Sequence, residues 1–228
     1  MIVNRHDVER LWDDEILPRL KKYTKYVLGP ELNHGHYGVA YALQNDSNKV
    51  LKVTADRDEA RTSSKLVGRT FKHVVQIYRV FEFKTLKGVY FLLEERLQPL
   101  NSEEAVVVKH MGLPSTDLIE NLLHAVQKYG TLENLRTYAS ERLPADRLNF
   151  FTDKLLPIIQ TLEPLTIAFA MHLLTWRTPQ EFQEAFNLRE GTFLIMQKAL
   201  DGLKEMTKND IEFSDTQSVN LMKDTRYL

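Results

Sequence analysis

The sequence predicts an α+β protein in two parts, a small β-rich front and a larger helical rear. Two observations carry this. Between about residues 27 and 100, short runs rich in β-branched and aromatic residues (38–43, 50–54, 74–83 and 89–93) alternate with turn chemistry such as Asn45-Asp46-Ser47-Asn48 and Lys87-Gly88. After Pro99 the strand signal nearly vanishes, and residues 115–207 carry apolar residues at helical spacing. The expected boundaries are an N-terminal helix over 1–26, a β-rich lobe over 27–100 and a helical lobe over 101–228. Two lobes of this kind would leave a cleft, where ligands preferentially bind.

The first element is predicted over residues 7–25. Asp7 is the candidate N-cap, and Val8, Leu11, Trp12, Ile16 and Leu20 recur along one face. Pro18 should bend this helix, because proline disfavours the α conformation in the residue before it. The strand runs follow, interrupted by a short helix over 56–66 with Asp56 as its candidate cap. In the rear, Ser115 or Thr116 caps the first helix, and Pro144, Pro157, Pro164 and Pro179 mark boundaries or first turns. The last clear helix starts at Thr192, with Phe193, Met196, Leu200 and Leu203 on one face.

Composition narrows the function. The 228 residues are 43% hydrophobic, enough for a sizeable core. Thirty basic and 31 acidic residues leave a net charge of −1, so no global field gathers nucleic acid or anionic lipid. The absence of cysteine excludes disulfides, thiolate metal sites and cysteine nucleophiles. The N-terminus lacks the apolar core of a signal peptide, and the longest apolar stretch, near 162–174, is broken by Glu163, Pro164 and His172. A cytoplasmic protein that enters no membrane is the expectation.

The chemistry-bearing residues begin with the turn Asn33-His34-Gly35-His36-Tyr37-Gly38. Gly35 and Gly38 lack a Cβ and can bring backbone N–H groups close to a phosphate; Asn33 tolerates the left-handed conformations a third glycine would adopt. Downstream, Lys52 interrupts the apolar run Val50-Leu51-Lys52-Val53, and strand alternation turns it away from Leu51 and Val53, toward an anion or water. Glu59 is its candidate partner, with Asp56 and Asp58 as alternatives. Near the other end, Asp215-Thr216-Gln217-Ser218-Val219-Asn220 places an aspartate and an asparagine in one polar loop. An aspartate can accept a proton from an attacking hydroxyl, and an asparagine carbonyl can ligate Mg²⁺; an Asx-capped turn is the plainer reading. The histidines flanking Gly35 read as polar loop residues, and Lys21, Lys22, Tyr23, Lys25 and Tyr26 as a solvated helix end.

The order of these residues resembles the protein-kinase fold: glycine loop, strand lysine, helix glutamate, an apolar strand ending in Glu95-Arg96-Leu97, helices, then Asp-x-x-x-x-Asn. The segments 32–53 and 215–222 look like the divergent form in bacteriophage serine/threonine kinases of the T7 type. The resemblance implies that Gly35 and Gly38 cover the phosphates of ATP, that Lys52 pairs with the α- and β-phosphates under the guidance of Glu59, and that 93–97, with Glu95, forms the hinge that meets adenine. It further implies that Asp215 is the catalytic base and Asn220 a Mg²⁺ ligand.

Phe213 and Ser214 stand where the family carries His-Arg, and the segment 223–228 looks like the turn before the Asp-Phe-Gly strand, whose aspartate is not in the sequence. The expectation is therefore an ATP-dependent kinase-like protein directed at host proteins, weak or inactive in this chain alone. The alternatives are an inactive kinase fold that regulates a protein partner, and an unrelated interaction module.

Overall fold

In the computed structural model, the residues described are 5–34, 37–112, 114–211 and 222–223. The chain divides into two compact units, meeting in sequence between Gln98 and Pro99.

The first unit is a five-stranded antiparallel sheet with helices on both faces. Its strands are β1 (Leu28–His34), β2 (Gly38–Leu43), β3 (Asp46–Thr54), β4 (Ile77–Glu82) and β5 (Tyr90–Glu95), in the spatial order β1-β2-β3-β5-β4. The predicted runs lie in β2 to β5, but 74–76 and Phe83 stay outside β4 and Val89 outside β5. The expected turn at 45–48 is corrected: Asp46 already pairs with Leu43, so the hairpin turns on Gln44-Asn45 and the rest extends β3. Strand β1 has no counterpart among the expected runs. It contains Gly29 and Pro30, and it lies at the sheet edge, where a proline interrupts no central ladder. The turn at Lys87-Gly88 forms as expected. Gly88 adopts φ 84° and donates its N–H to Glu82 Oε1 at 2.7 Å.

One face of this sheet is apolar. Val39, Leu43, Leu51, Val53, Phe91 and Leu93 pack against Val8, Ile16 and Leu20 from the N-terminal helices. Leu51, Val53 and Phe91 are fully buried, and each such side chain contributes about 1.5–3 kcal/mol. The N-terminal helix is not continuous. It runs as α1 (Arg5–Arg10), a π-helical turn over Trp12–Ile16, and α2 (Leu17–Tyr23). Asp7 sits within the first turn of α1 rather than capping it, where its carboxylate still complements the helix dipole. Pro18 acts through this π turn: it has no N–H to donate to the i−4 carbonyl, and just before it the ladder shifts to i−5, with Leu17 N–H donating to Trp12 O.

The opposite face carries α3 (Arg57–Leu66), whose Ala60, Ser63 and Leu66 are buried. Asp56 caps it as expected, accepting from the N–H groups of Asp58 and Glu59 at 2.8 and 3.1 Å.

The second unit is helical: α4 (Ser102–Met111), α5 (Thr116–Tyr129), α6 (Leu132–Arg142), α7 (Ala145–Phe150), α8 (Leu156–Ile159), α9 (Pro164–Leu174), α10 (Pro179–Phe186) and α11 (Glu190–Thr207). Helix α4 lies ahead of the expected helical region and opens on a reciprocal capping box between Asn101 and Glu104. Ser115 caps α5; Pro144, Pro164 and Pro179 stand at or just inside helix starts. A second π turn, Phe151–Leu155, precedes Pro157 as the first precedes Pro18. Helix α11 starts two residues before Thr192 and buries Phe193, Met196, Leu200 and Leu203. The apolar stretch near 162–174 is the central helix α9, buried on nearly every side, as an all-round apolar helix requires. Among the described residues no helix is long and apolar enough to cross a membrane.

Candidate functional site

Strand alternation divides β3 cleanly. Leu51 and Val53 enter the apolar core, while Val50, Lys52 and Thr54 point to the face that carries α3. Pairing places Ala40 and Leu92 beside Lys52, and Ala42 and Glu94 beside Val50. This face therefore presents a strip of small and apolar residues with Lys52 at one end and Glu94 two residues along.

Lys52 Nζ donates a short hydrogen bond to Glu59 Oε1 and forms an ion pair with it. Of the three acids weighed as its partner, the structure selects Glu59. The carboxylate of Asp56 is spent on the α3 cap, and that cap sets the first turn from which Glu59 reaches β3. Burial pulls the Lys52 ammonium down, but Glu59, Glu94 and Asp56 together more than offset it and hold the group above the ordinary lysine value. Lys52 stays charged, with about 30% of its side chain exposed, so an incoming anion can reach it.

Glu94 was not among the expected site residues; Glu95 was. Their positions on β5 separate their tasks. Glu95 is buried, and its Oε2 accepts from Gln76 N at 3.3 Å while its own N–H donates to Gln76 O at 2.9 Å. The N–H of Arg96 is likewise held, by Asn48 O at 2.9 Å. Glu95 thus secures the end of the sheet. Glu94 turns to the Lys52 face, and its carboxyl has no hydrogen bond or ion pair among the described residues. Burial pushes it up to about 7; Lys52 opposes the rise and Glu59 adds to it. Alternation in Leu92-Leu93-Glu94-Glu95 sends the two acids to opposite faces, and the β3–β5 register decides which of them lies on the Lys52 face.

Gly38 opens β2, and its missing side chain has a reason inside the sheet. A Cβ there would lie 2.3 Å from Val53 O and 2.8 Å from Thr54 Cα. The glycine is required by close strand packing, whatever else approaches it. Tyr37, just before it, is held by its carbonyl, which accepts from Ala55 N at 2.8 Å. Gly35, Asp215 and Asn220 lie outside the described residues, as does His36. His34 faces Glu31 at 2.9 Å. Among the described residues no group of three or more acids and histidines is arranged to hold a metal. Two concavities, of about 530 and 390 Å³, lie elsewhere: one beside Trp12 and Tyr41, the other beside Trp176 and Arg177.

The arrangement can hold an anion at Lys52 and can exchange hydrogen bonds at Glu94 in either protonation state. No protein-family model matches the chain, and no curated protein is significantly similar to it.

Proposed function

We propose that this chain is a kinase-like nucleotide-binding protein that holds the phosphates of ATP at Lys52 and transfers the γ-phosphate to serine or threonine of protein substrates. The observation that carries the reading is the Lys52–Glu59 ion pair: a charged lysine on a central strand, oriented by a glutamate from the helix that follows. A compact, part-exposed ammonium beside Ala40 suits a phosphate, and Glu59 holds it in place. The α+β composition of the chain, a five-stranded sheet followed by helices, is compatible with the same reading.

Catalytic roles would fall to residues of the polar segment 215–220. Asp215 would accept the proton of the attacking hydroxyl, and Asn220 would supply a carbonyl to Mg²⁺. The metal, when bound, neutralises charge on the transferring phosphate. Lys52 orients the phosphates, and Glu59 fixes the lysine. Phe213 and Ser214, in place of His-Arg, favour a second reading in which the nucleotide site survives without transfer and the protein regulates a partner.

The test has two stages. Millimolar Mg-ATP should raise the melting temperature of the wild type, since a ligand present at about 100 Kd stabilises the folded state by about 2.7 kcal/mol. Lys52→Ala should abolish that rise. A wild type indifferent to ATP would end the nucleotide reading. Labelled γ-phosphate transfer that disappears in Asp215→Ala supports the kinase; ATP binding without transfer in the wild type selects the regulator.

A further inference from the structure

We propose that Glu94 reads the base of the bound nucleotide, by pairing its carboxyl with the hydrogen-bonding edge of a purine whose phosphates lie at Lys52. This rests on the nucleotide reading above and adds the specificity-determining residue.

Three observations carry it. Glu94 and Lys52 share one face of the sheet, offset by one side-chain step along paired strands, about 7 Å at the usual strand rise. That is a ribose-sized gap, so a nucleotide anchored by its phosphates at Lys52 and lying along β3 brings its base to Glu94. The strip between them is apolar, made by Ala40, Ala42 and Val50 with Leu92 alongside, and all but Ala40 are buried, a surface on which a planar base can pack. And the Glu94 carboxyl has no hydrogen-bond partner among the described residues, although it is half-buried. A half-buried acid without a partner is costly to the fold and calls for a ligand group to satisfy it.

The two protonation states of a carboxyl match two different bases. An ionised carboxylate only accepts, and it pairs with the N1–H and N2–H donors of guanine. A neutral carboxylic acid accepts from adenine N6–H and donates to adenine N1. Glu94 is raised to about 7 by burial, so both states are accessible near neutrality. The charged groups acting on it are Lys52 from β3 and Glu59 from α3; from β4, Ile77 is its apolar neighbour. Base preference should therefore change with pH, toward adenine in acid and toward guanine in base.

Fluorescent ATP and GTP analogues titrated into the full chain at about pH 6 and about pH 8 test this. The ratio of GTP to ATP affinity in the wild type should rise about tenfold from the lower to the higher pH, within the range expected for one bidentate base contact. In Glu94→Gln, whose amide always offers one donor and one acceptor, the ratio should favour ATP and stop changing with pH. Lys52→Ala should weaken both nucleotides to the same extent and leave their ratio unchanged. If both nucleotides bind and the ratio is indifferent to pH and to Glu94→Gln, the base-reading role is wrong while the nucleotide site stands. If the wild type binds neither, the nucleotide reading falls and takes this one with it.

Discussion

The two faces of the sheet are built from the same strands and both bury apolar side chains, but the face toward α3 also holds Lys52 and Glu94. Toward the N-terminal helices, β2, β3 and β5 send Val39, Leu43, Leu51, Val53, Phe91 and Leu93 into a core with no charged member. Toward α3, the same strands send Ala40, Lys52 and Glu94, and the helix answers with Glu59. The first face stabilises the unit. The second gives some of that stability up, because burial works against the charged form of both Lys52 and Glu94. Charge concentrated on one face of a sheet whose other face supplies the core is the pattern expected where function is placed on a scaffold.

The largest effect should come from breaking the apolar face. Phe91→Ala removes a fully buried ring stacked on Phe81 at 5.0 Å, and should cost about 3–5 kcal/mol in chemical denaturation. A loss below 1 kcal/mol would mean this face is not the core. Next is Gly38→Ala. The new methyl meets the backbone of Val53 and Thr54, which cannot yield as a side chain can, so about 1–3 kcal/mol should be lost even in the absence of any nucleotide. An unchanged melting temperature would return Gly38 to a purely ligand-facing role.

On the charged face the sign should reverse. Glu94 has a folded-state value raised above the ordinary carboxylate range, so the folded chain binds its proton more tightly than the unfolded chain does. Stability from this group is fully present below about pH 4.5 and is lost as pH rises to about 7. Glu94→Gln should therefore be more stable than wild type at about pH 8, by about 1–2 kcal/mol, and the gain should vanish in acid. Parallel pH–stability curves for the two proteins would contradict the burial assigned to Glu94. The smallest effect is expected from Asp56→Ala, which removes the α3 cap at about 1 kcal/mol. Its sharper readout is the nucleotide-induced rise in melting temperature. Loosening the first turn of α3 should weaken Glu59's hold on Lys52 and reduce that rise.

Several features were legible in the residues. Strand β2 coincides with its expected run; Asp56 and Ser115 cap where their residue types indicate; the prolines fall at helix starts or in first turns. Others were hidden for physical reasons. Strand β1 carries Gly29 and Pro30, poor strand formers that an edge position tolerates. Helix α4 was legible only through its Asn101–Glu104 capping box, because its apolar residues form a weak stripe. Of the candidate site, Lys52 and Glu59 were visible as a strand lysine and a nearby helix acid, while Glu94 was overlooked for its neighbour Glu95.

The sequence by itself determined that Lys52 would leave the apolar face of its strand, since alternation is a property of extended backbone and needs no neighbour. It also determined where α3 begins, because Asp56 caps through bonds two and three residues away. Which acid meets the lysine, and which only closes the sheet, depended on tertiary structure. One of the two partners of β3 in the sheet is β5, distant in the chain, and its register places Glu94 on the Lys52 face, while Glu95 bonds to Gln76. Local sequence sets which way a side chain points; only the pairing of remote strands sets what it points at.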